Sequence, residues 1–173
     1  EQISNFKLVA VDQSHDEKRT INLAKYVEHV LDTLTPMVKR YNIQIITAIS
    51  DELAINTYPG ALAQIISNLV ENAVKHAFPT DNLGVIAICV HQLKTGDIEI
   101  TFSDDGVGMD RDTQKRVFEP FYTTKRGNGG SGLGMHIVYN LITQKLKGGI
   151  ICQSRVGLGT QFRLILPGQQ SAN

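Results

Sequence analysis

The chain has 173 residues, 42% of them hydrophobic, which suffices for one domain with a buried core. Lys plus Arg equal Asp plus Glu at 17 each, so the balance excludes nucleic acid as the main partner; with no Trp and 6% aromatics, a stacking platform for single strands is excluded as well. No apolar run approaches the roughly 20 residues of a membrane helix, and EQISNFKLVA has neither a signal-peptide order nor an initiator Met, so the chain reads as a piece of something longer without direct membrane contact.

Residues 1–19 read as a lead-in. FKLVAV is a short strand or the end of an upstream helix, and DQSHDEKRT is a polar linker in which His15 is a solvated side chain. From Asn22, a fitting N-cap, apolar residues recur at Leu23, Val27, Val30, Leu31, Leu34, Val38 and Tyr41, the spacing of a helix; Pro36 predicts a kink or a restart after Thr35. NIQIITAIS (Asn42 to Ser50) reads as a strand, and DELAINTYPG as a turn-rich return.

Gly60 to Phe78 forms a second helix whose wide apolar stripe includes Leu62, Ile65, Ile66, Leu69, Val70, Ala73 and Val74. Against that stripe stand Asn68 and Asn72, one turn apart, with Lys75 three residues further on. Asn is a poor helix-interior residue because its amide competes for backbone hydrogen bonds, so two of them at i, i+4 need another reason. Either they are surface or packing amides, or their oxygens coordinate a hard cation such as Mg²⁺, which takes few protein oxygens, while Lys75 meets an anion.

Leu83 to Leu93 is a strand, KTG a tight turn, and Asp97 to Asp104 its hairpin partner, alternating Ile98, Ile100 and Phe102 against Glu99, Thr101 and Ser103. That strand ends in DDGVGMD. Two glycines at i, i+2 either make a plain turn or let a flat ligand lie against backbone, and an ionised Asp104 suits a ligand that offers N–H groups. RDTQKRVF follows as a short helix. FEPFYTTKRGNGGSGLG (Phe118 to Gly134) then breaks all periodicity, and apolar spacing resumes at Leu133, Ile137, Val138, Leu141 and Ile142. Glycines that run into a helix N-terminus make an anion site. Strands Gly149–Ser154 and Thr160–Leu166 flank a VGLG turn. Cys89 and Cys152 lie in apolar strand-like runs and read as buried reduced thiols; the five histidines show no metal-ligand spacing.

Gly127, Gly129 and Gly132 satisfy G-x-G-x-x-G, but no strand leads into them, so a Rossmann reading fails. No Walker A sequence is present, nor the HRD and DFG of the serine/threonine/tyrosine kinases. NLVENAVKHA, DDGVGMD, FEPFYTTK and GSGLGMHIV, in that order, resemble the N, G1, F and G2 boxes of the catalytic, ATP-binding domain of sensor histidine kinases, in the GHKL superfamily (Bergerat fold) with gyrase, mismatch-repair and chaperone ATPases. The resemblance runs from about Thr20 to Pro167.

The resemblance implies a two-layer α/β (α+β) sandwich: a mixed, mainly antiparallel sheet, about three helices on one face and a flexible ATP lid. Residues 1–19 would be linker or the end of an upstream dimerisation hairpin, 20–168 the ATP-binding domain and 169–173 a disordered tail. Asp104, with Thr160, would take the adenine amine; Gly106, Gly108 and Met109 would lie against the base. Asn72 would bind Mg²⁺, with Asn68 and Lys75 at the phosphates and Lys125 and Arg126 at the γ-phosphate. Gly130, Ser131, Gly132, Leu133 and Gly134 would wrap the phosphates, and Phe118 and Phe121 would anchor the lid or dock the partner helix. In hydrolysing relatives a Glu that activates water stands one turn before the metal-binding Asn; here Asn68 holds that place, and an amide takes no proton from water. Glu71 points about 100° away from Asn72 on a helix and is set aside as a base. The expected function is transfer of the γ-phosphoryl group of ATP–Mg²⁺ to a histidine on a separate phosphoacceptor hairpin, then to a response regulator, in the cytoplasm. The piece itself would be monomeric and nearly inert, its parent dimeric. A gyrase- or chaperone-like ATPase and a non-catalytic nucleotide-binding module are the alternatives.

Overall fold

A computed structural model of the chain describes residues 8–13, 16–78, 83–123 and 132–168. Among the described residues, five strands and four helices follow from the patterns above, and two short strands are added. β1 (Arg19–Asn22) and β3 (Ala54–Thr57) pair antiparallel as a two-stranded sheet, Ile21 opposite Ile55. Each has four residues, too few for an alternating pattern to stand out, and β3 lies within the stretch expected to be a turn-rich return.

The main sheet has the order β2 (Ile43–Ala48), β4 (Gly84–Gln92), β5 (Ile98–Asp104), β7 (Thr160–Leu166), β6 (Gly149–Ser154). β2 and β4 are parallel and the other three pairings antiparallel, so the sheet is mixed and mainly antiparallel, as expected. Alternate residues point into the core: Ile86, Ile88 and Val90 on β4, Ile98, Ile100 and Phe102 on β5, Phe162, Leu164 and Leu166 on β7. Phe102 stands opposite both Ile88 and Phe162, so large side chains stack across the three central strands.

The helical layer is built from α1 (Leu23–Arg40), α2 (Pro59–His76) and α4 (Gly134–Asn140); α2 lies against both of the others. Asn22 caps α1 by accepting from the Lys25 amide at 3.0 Å. The helix does not restart after Thr35: α1 is one continuous helix with Pro36 inside it. Pro36 faces solvent, while Val30 before it and Val38 after it are both held in the core. Pro59 opens α2 at a position where a missing N–H costs nothing. α3 (Arg111–Arg116) is capped by Asp110, whose Oδ1 accepts from the Thr113 amide at 2.8 Å. α4 runs on into a wider π-helical turn, Leu141–Lys145.

Residues 8–13 are helical, which decides between the two readings of FKLVAV. Val9 is 5% exposed and joins the main core. The Arg19 guanidinium reaches Asp12 Oδ2 at 2.7 Å, and a Cβ on Gly60 would lie 2.0 Å from the Asp12 carbonyl oxygen. The lead-in is thus packed directly on the start of α2.

Candidate functional site

A cleft of about 630 Å³ opens between α2, the turn after β5, α3 and the start of α4. α2 contributes Asn68, Asn72, Lys75 and His76, residues separated by four, three and one, which lie on one side of a helix. Glu71 lines the cleft too. Glu71 stands about 100° from Asn72 but at i+3 from Asn68, so it falls on the same broad face and is not turned away from the cleft.

The side-chain nitrogen of Asn68 is buried and has no hydrogen-bond partner among the described residues. A buried amide donor without a partner costs about 1–3 kcal/mol, so a group that accepts from it, such as a phosphate oxygen, would be held there. Asn72 presents a neutral amide one turn on. Its oxygen suits Mg²⁺, which keeps most of its shell for water and phosphate. The residues present therefore fit ATP–Mg²⁺, and Asn72 is the side chain that would hold the ion.

Of the residues expected at the site, Asn68, Asn72, Lys75, Gly108, Met109, Gly132, Leu133 and Gly134 line the cleft. Asp104, Gly106, Thr160, Phe118 and Phe121 do not line it, although Gly106 directly precedes the lining residue Val107. Lys125, Arg126, Gly130 and Ser131 fall outside the described residues.

Asp104 ends β5, and Thr160 begins β7 directly opposite. Asp104 Oδ1 accepts from the Gly106 amide at 2.9 Å, and the Thr160 backbone N–H also reaches the carboxylate. Burial still pushes the carboxyl above its ordinary 3.8, outweighing both donors, and neighbouring Asp105 adds to the rise. Asp105 faces away: its Oδ1 accepts from the Val85 amide at 2.8 Å and pins β4.

The two glycines after Asp104 have reasons within the fold itself. A Cβ on Gly106 would lie 2.4 Å from the Ala77 carbonyl oxygen; on Gly108, whose φ is +71°, it would lie 1.9 Å from that of Arg155. The turn is thus wedged between the end of α2 and the β6–β7 hairpin. The connection after α3 is clasped at its base. The Phe121 amide, at φ 64°, donates to the Gly132 carbonyl at 2.9 Å. The Phe118 ring packs between Tyr139 and Phe162, with centroids 5.4 and 6.1 Å away, and its carbonyl is 3.1 Å from His136 Nδ1. Tyr122, which the sequence reading passed over, lines the cleft with its hydroxyl donating to Thr113 Oγ1 at 3.1 Å and its ring under the Arg116 guanidinium at 4.3 Å.

Ser154 was also missed. No pattern singles out one serine at a strand end, yet its hydroxyl touches Met109, Gly159 and Thr160 at once. Gln114 braces it from α3: its amide accepts from the Ser154 N–H at 3.1 Å and donates to the Cys152 carbonyl at 3.0 Å. Cys152 and Cys89 are free thiols and only partly buried. The Cys152 thiol is pushed up from 9.0 to about 12, mainly by burial and then by the Asp104 charge.

A mixed sheet under a layer of helices, with a cleft between those helices and the turn after β5, is the architecture of ATP-binding sandwich domains. Residues 57–170 match the family described as histidine kinase-, DNA gyrase B- and HSP90-like ATPase, and the chain belongs to that family. It is 31% identical over 173 residues to sporulation kinase E of Bacillus subtilis, covering 98% of this chain and 22% of that protein. With the sensor histidine kinase ZraS of Salmonella typhimurium it is 32% identical over 161 residues, covering 92% of this chain and 33% of the other. The chain thus spans a third or less of these two relatives. Among solved structures, the catalytic domain of histidine kinase ThkA superposes with a TM-score of 0.76 at 24% identity, over 88% of this chain and 96% of that one. Full-length ShkA in complex with AMPPNP gives 0.77 at 25% identity, over 99% of this chain and 35% of that one.

Proposed function

We propose that the chain is the ATP-binding catalytic domain of a sensor histidine kinase, which donates the γ-phosphoryl group of ATP to a histidine on a phosphoacceptor hairpin. The observation that carries this reading is the buried, unpartnered Asn68 amide beside Asn72 on the cleft wall. A Glu at that place could take a proton from water. An amide can only orient groups by hydrogen bonding, so it holds the phosphates without making water a nucleophile.

Asp104 accepts the adenine amine, with Thr160 beside it and Gly106, Gly108 and Met109 forming the adjoining turn. Lys75 meets a phosphate, and Lys125 and Arg126 are assigned to the γ-phosphate. Mg²⁺, when bound at Asn72, supplies neutralisation of phosphate charge. What the protein adds is position: the phosphates are fixed, and a neutral imidazole delivered from outside the cleft is the attacking group. Onward transfer goes to a response regulator. The complex of ThkA with the response regulator TrrA, whose kinase superposes with a TM-score of 0.72, is consistent with such a partner.

Glu71 supports a second reading, ATP hydrolysis of the gyrase or chaperone kind, because its carboxylate lines the same cleft. One assay separates the two. The chain is incubated with γ-labelled ATP and Mg²⁺, with and without a phosphoacceptor hairpin supplied in trans. Label on the hairpin and almost no phosphate release without it are expected. Steady release by the chain alone, abolished by Glu71→Gln, would move the assignment to the hydrolases. ATP binding with neither outcome would leave a nucleotide-binding module.

A further inference from the structure

Ser154 ends β6, outside the cleft lining, and three polar atoms converge on its hydroxyl. The Met109 N–H donates to Oγ at 2.8 Å, Oγ donates to the Gly159 carbonyl at 2.9 Å, and Thr160 Oγ1 is 2.8 Å away. A serine hydroxyl has one proton and two lone pairs. The Gly159 carbonyl can only accept, so it takes the proton. The Met109 N–H can only donate, so it takes one lone pair. The remaining lone pair faces Thr160, whose hydroxyl must therefore be the donor of that pair. With its proton committed to Ser154, Thr160 has only lone pairs for anything else nearby.

The register places Thr160 opposite Ser154 on one side and opposite Asp104 on the other. Asp104, once ionised, also only accepts. The strand ends thus pair two acceptors. Gln114 keeps the arrangement in place, since both ends of its amide are engaged by the β6 backbone.

We infer that Ser154 is a specificity-determining positioning residue: by locking the Thr160 hydroxyl as an acceptor, it makes the Asp104–Thr160 end of the site read a purine with N–H donors at C6 and turn away a 6-oxo purine. This rests on the reading that Asp104 and Thr160 take the base. An acceptor pair of a half-buried Asp104 and a buried Thr160 facing a carbonyl oxygen leaves both unpaired, which is how a polar site rejects an analogue that lacks the matching group.

The test compares ATP with ITP, which carries oxygen in place of the 6-amino group, by calorimetric titration of the 173-residue chain. Ser154→Ala, Ser154→Thr and Thr160→Val accompany the unmutated protein, each checked for folding by thermal melting. The unmutated chain should prefer ATP. Ser154→Ala should shrink the ATP-to-ITP ratio by roughly tenfold, the worth of one hydrogen bond, because the released Thr160 hydroxyl can turn and donate to the 6-oxo oxygen. Ser154→Thr keeps the hydroxyl and should keep the ratio. In a Thr160→Val background, Ser154→Ala should leave the ratio unmoved, a comparison that survives if Ser154→Ala alone folds poorly. Equal weakening of ATP and ITP by Ser154→Ala would make Ser154 part of the scaffold only and overturn the inference. An unmutated chain that binds both nucleotides equally, or neither, would instead sink the adenine reading beneath it.

Discussion

Replacing Gly108 by Ala separates a glycine required by the fold from one required by a ligand. Its φ of +71° alone costs an L-residue about 1–2 kcal/mol. The new Cβ would stand 1.9 Å from the Arg155 carbonyl oxygen, well inside ordinary contact, so the β6–β7 hairpin would have to retreat by more than an ångström. That retreat breaks the Gly157 N–H bond to the Val107 carbonyl (2.7 Å) and strains the Met109 bond to Ser154 (2.8 Å), each worth about 1 kcal/mol. The expected loss is about 3–4 kcal/mol, a fall in Tm of roughly 10 °C for a domain of this size. Gly157→Ala is the control: φ is +82°, but nothing lies within 4 Å of the added carbon, so the loss should stop at about 1–2 kcal/mol. Gly134→Ala, at the first position of α4 with no described residue within 4 Å of the added carbon and no positive φ, should cost nothing. Thermal and urea melts without nucleotide give the ranking. If Gly108→Ala melted within about 2 °C of Gly157→Ala, the clash would be relieved cheaply and ligand approach would be the better reason for that glycine.

Three further outcomes can be checked. Asn68→Leu should stabilise the nucleotide-free chain by about 1 kcal/mol in urea melts, because it removes a buried donor without a partner, and it should weaken ATP binding in the same preparation; a loss of stability would mean that the amide is satisfied. Asp104 has a raised folded-state pKa, so its contribution to unliganded stability is fully present below the ordinary 3.8 and is lost as pH rises through the raised value. On the proposed role of Asp104, adenine binding needs the carboxylate and should follow the opposite course, weakening as pH falls through that raised value, and in Asp104→Asn this acid limb should vanish from the titrations. The Cys152 thiol, pushed up to about 12 from 9.0, should carry about a thousandfold less thiolate at pH 8 than an unperturbed one and react correspondingly slowly with iodoacetamide in the folded chain, the rate rising on unfolding.

Elements whose pattern repeats over many residues could be read from the chain directly. The two 18-residue helices and strands β4 to β7 each present an apolar face long enough to define its own period. β1 and β3 did not, because two inward residues in a four-residue strand resemble any loop. Pro36 did not restart the helix for a related reason: the rule describes the local backbone, while the apolar face runs on past the proline, with Val30 and Val38 both in the core. At the site, Asn68, Asn72 and Lys75 were legible because polar groups on a buried helix stand out against its stripe. Ser154 and Gln114 were not, since their importance lies in which atoms other strands and turns bring to them. Glu71 shows the limit of angular reasoning: a cleft as broad as this one accepts side chains from more than one line along α2.

The single parallel pairing in the sheet bears on how the molecule comes to fold. β2 and β4 cannot be joined by a hairpin; the chain between them must carry β3 and α2 across before they can meet. Asp104 acquires its neighbour Thr160 only when β7 arrives beside β5, after the whole of the glycine-rich connection, α4 and β6 have been made. Contacts of such sequence separation form slowly, because loop-closure entropy is spent before they are gained. The acid of β5 therefore gains its neighbour only through a long-range pairing, and nucleotide affinity would serve as a gauge of chain topology that local helix content cannot provide.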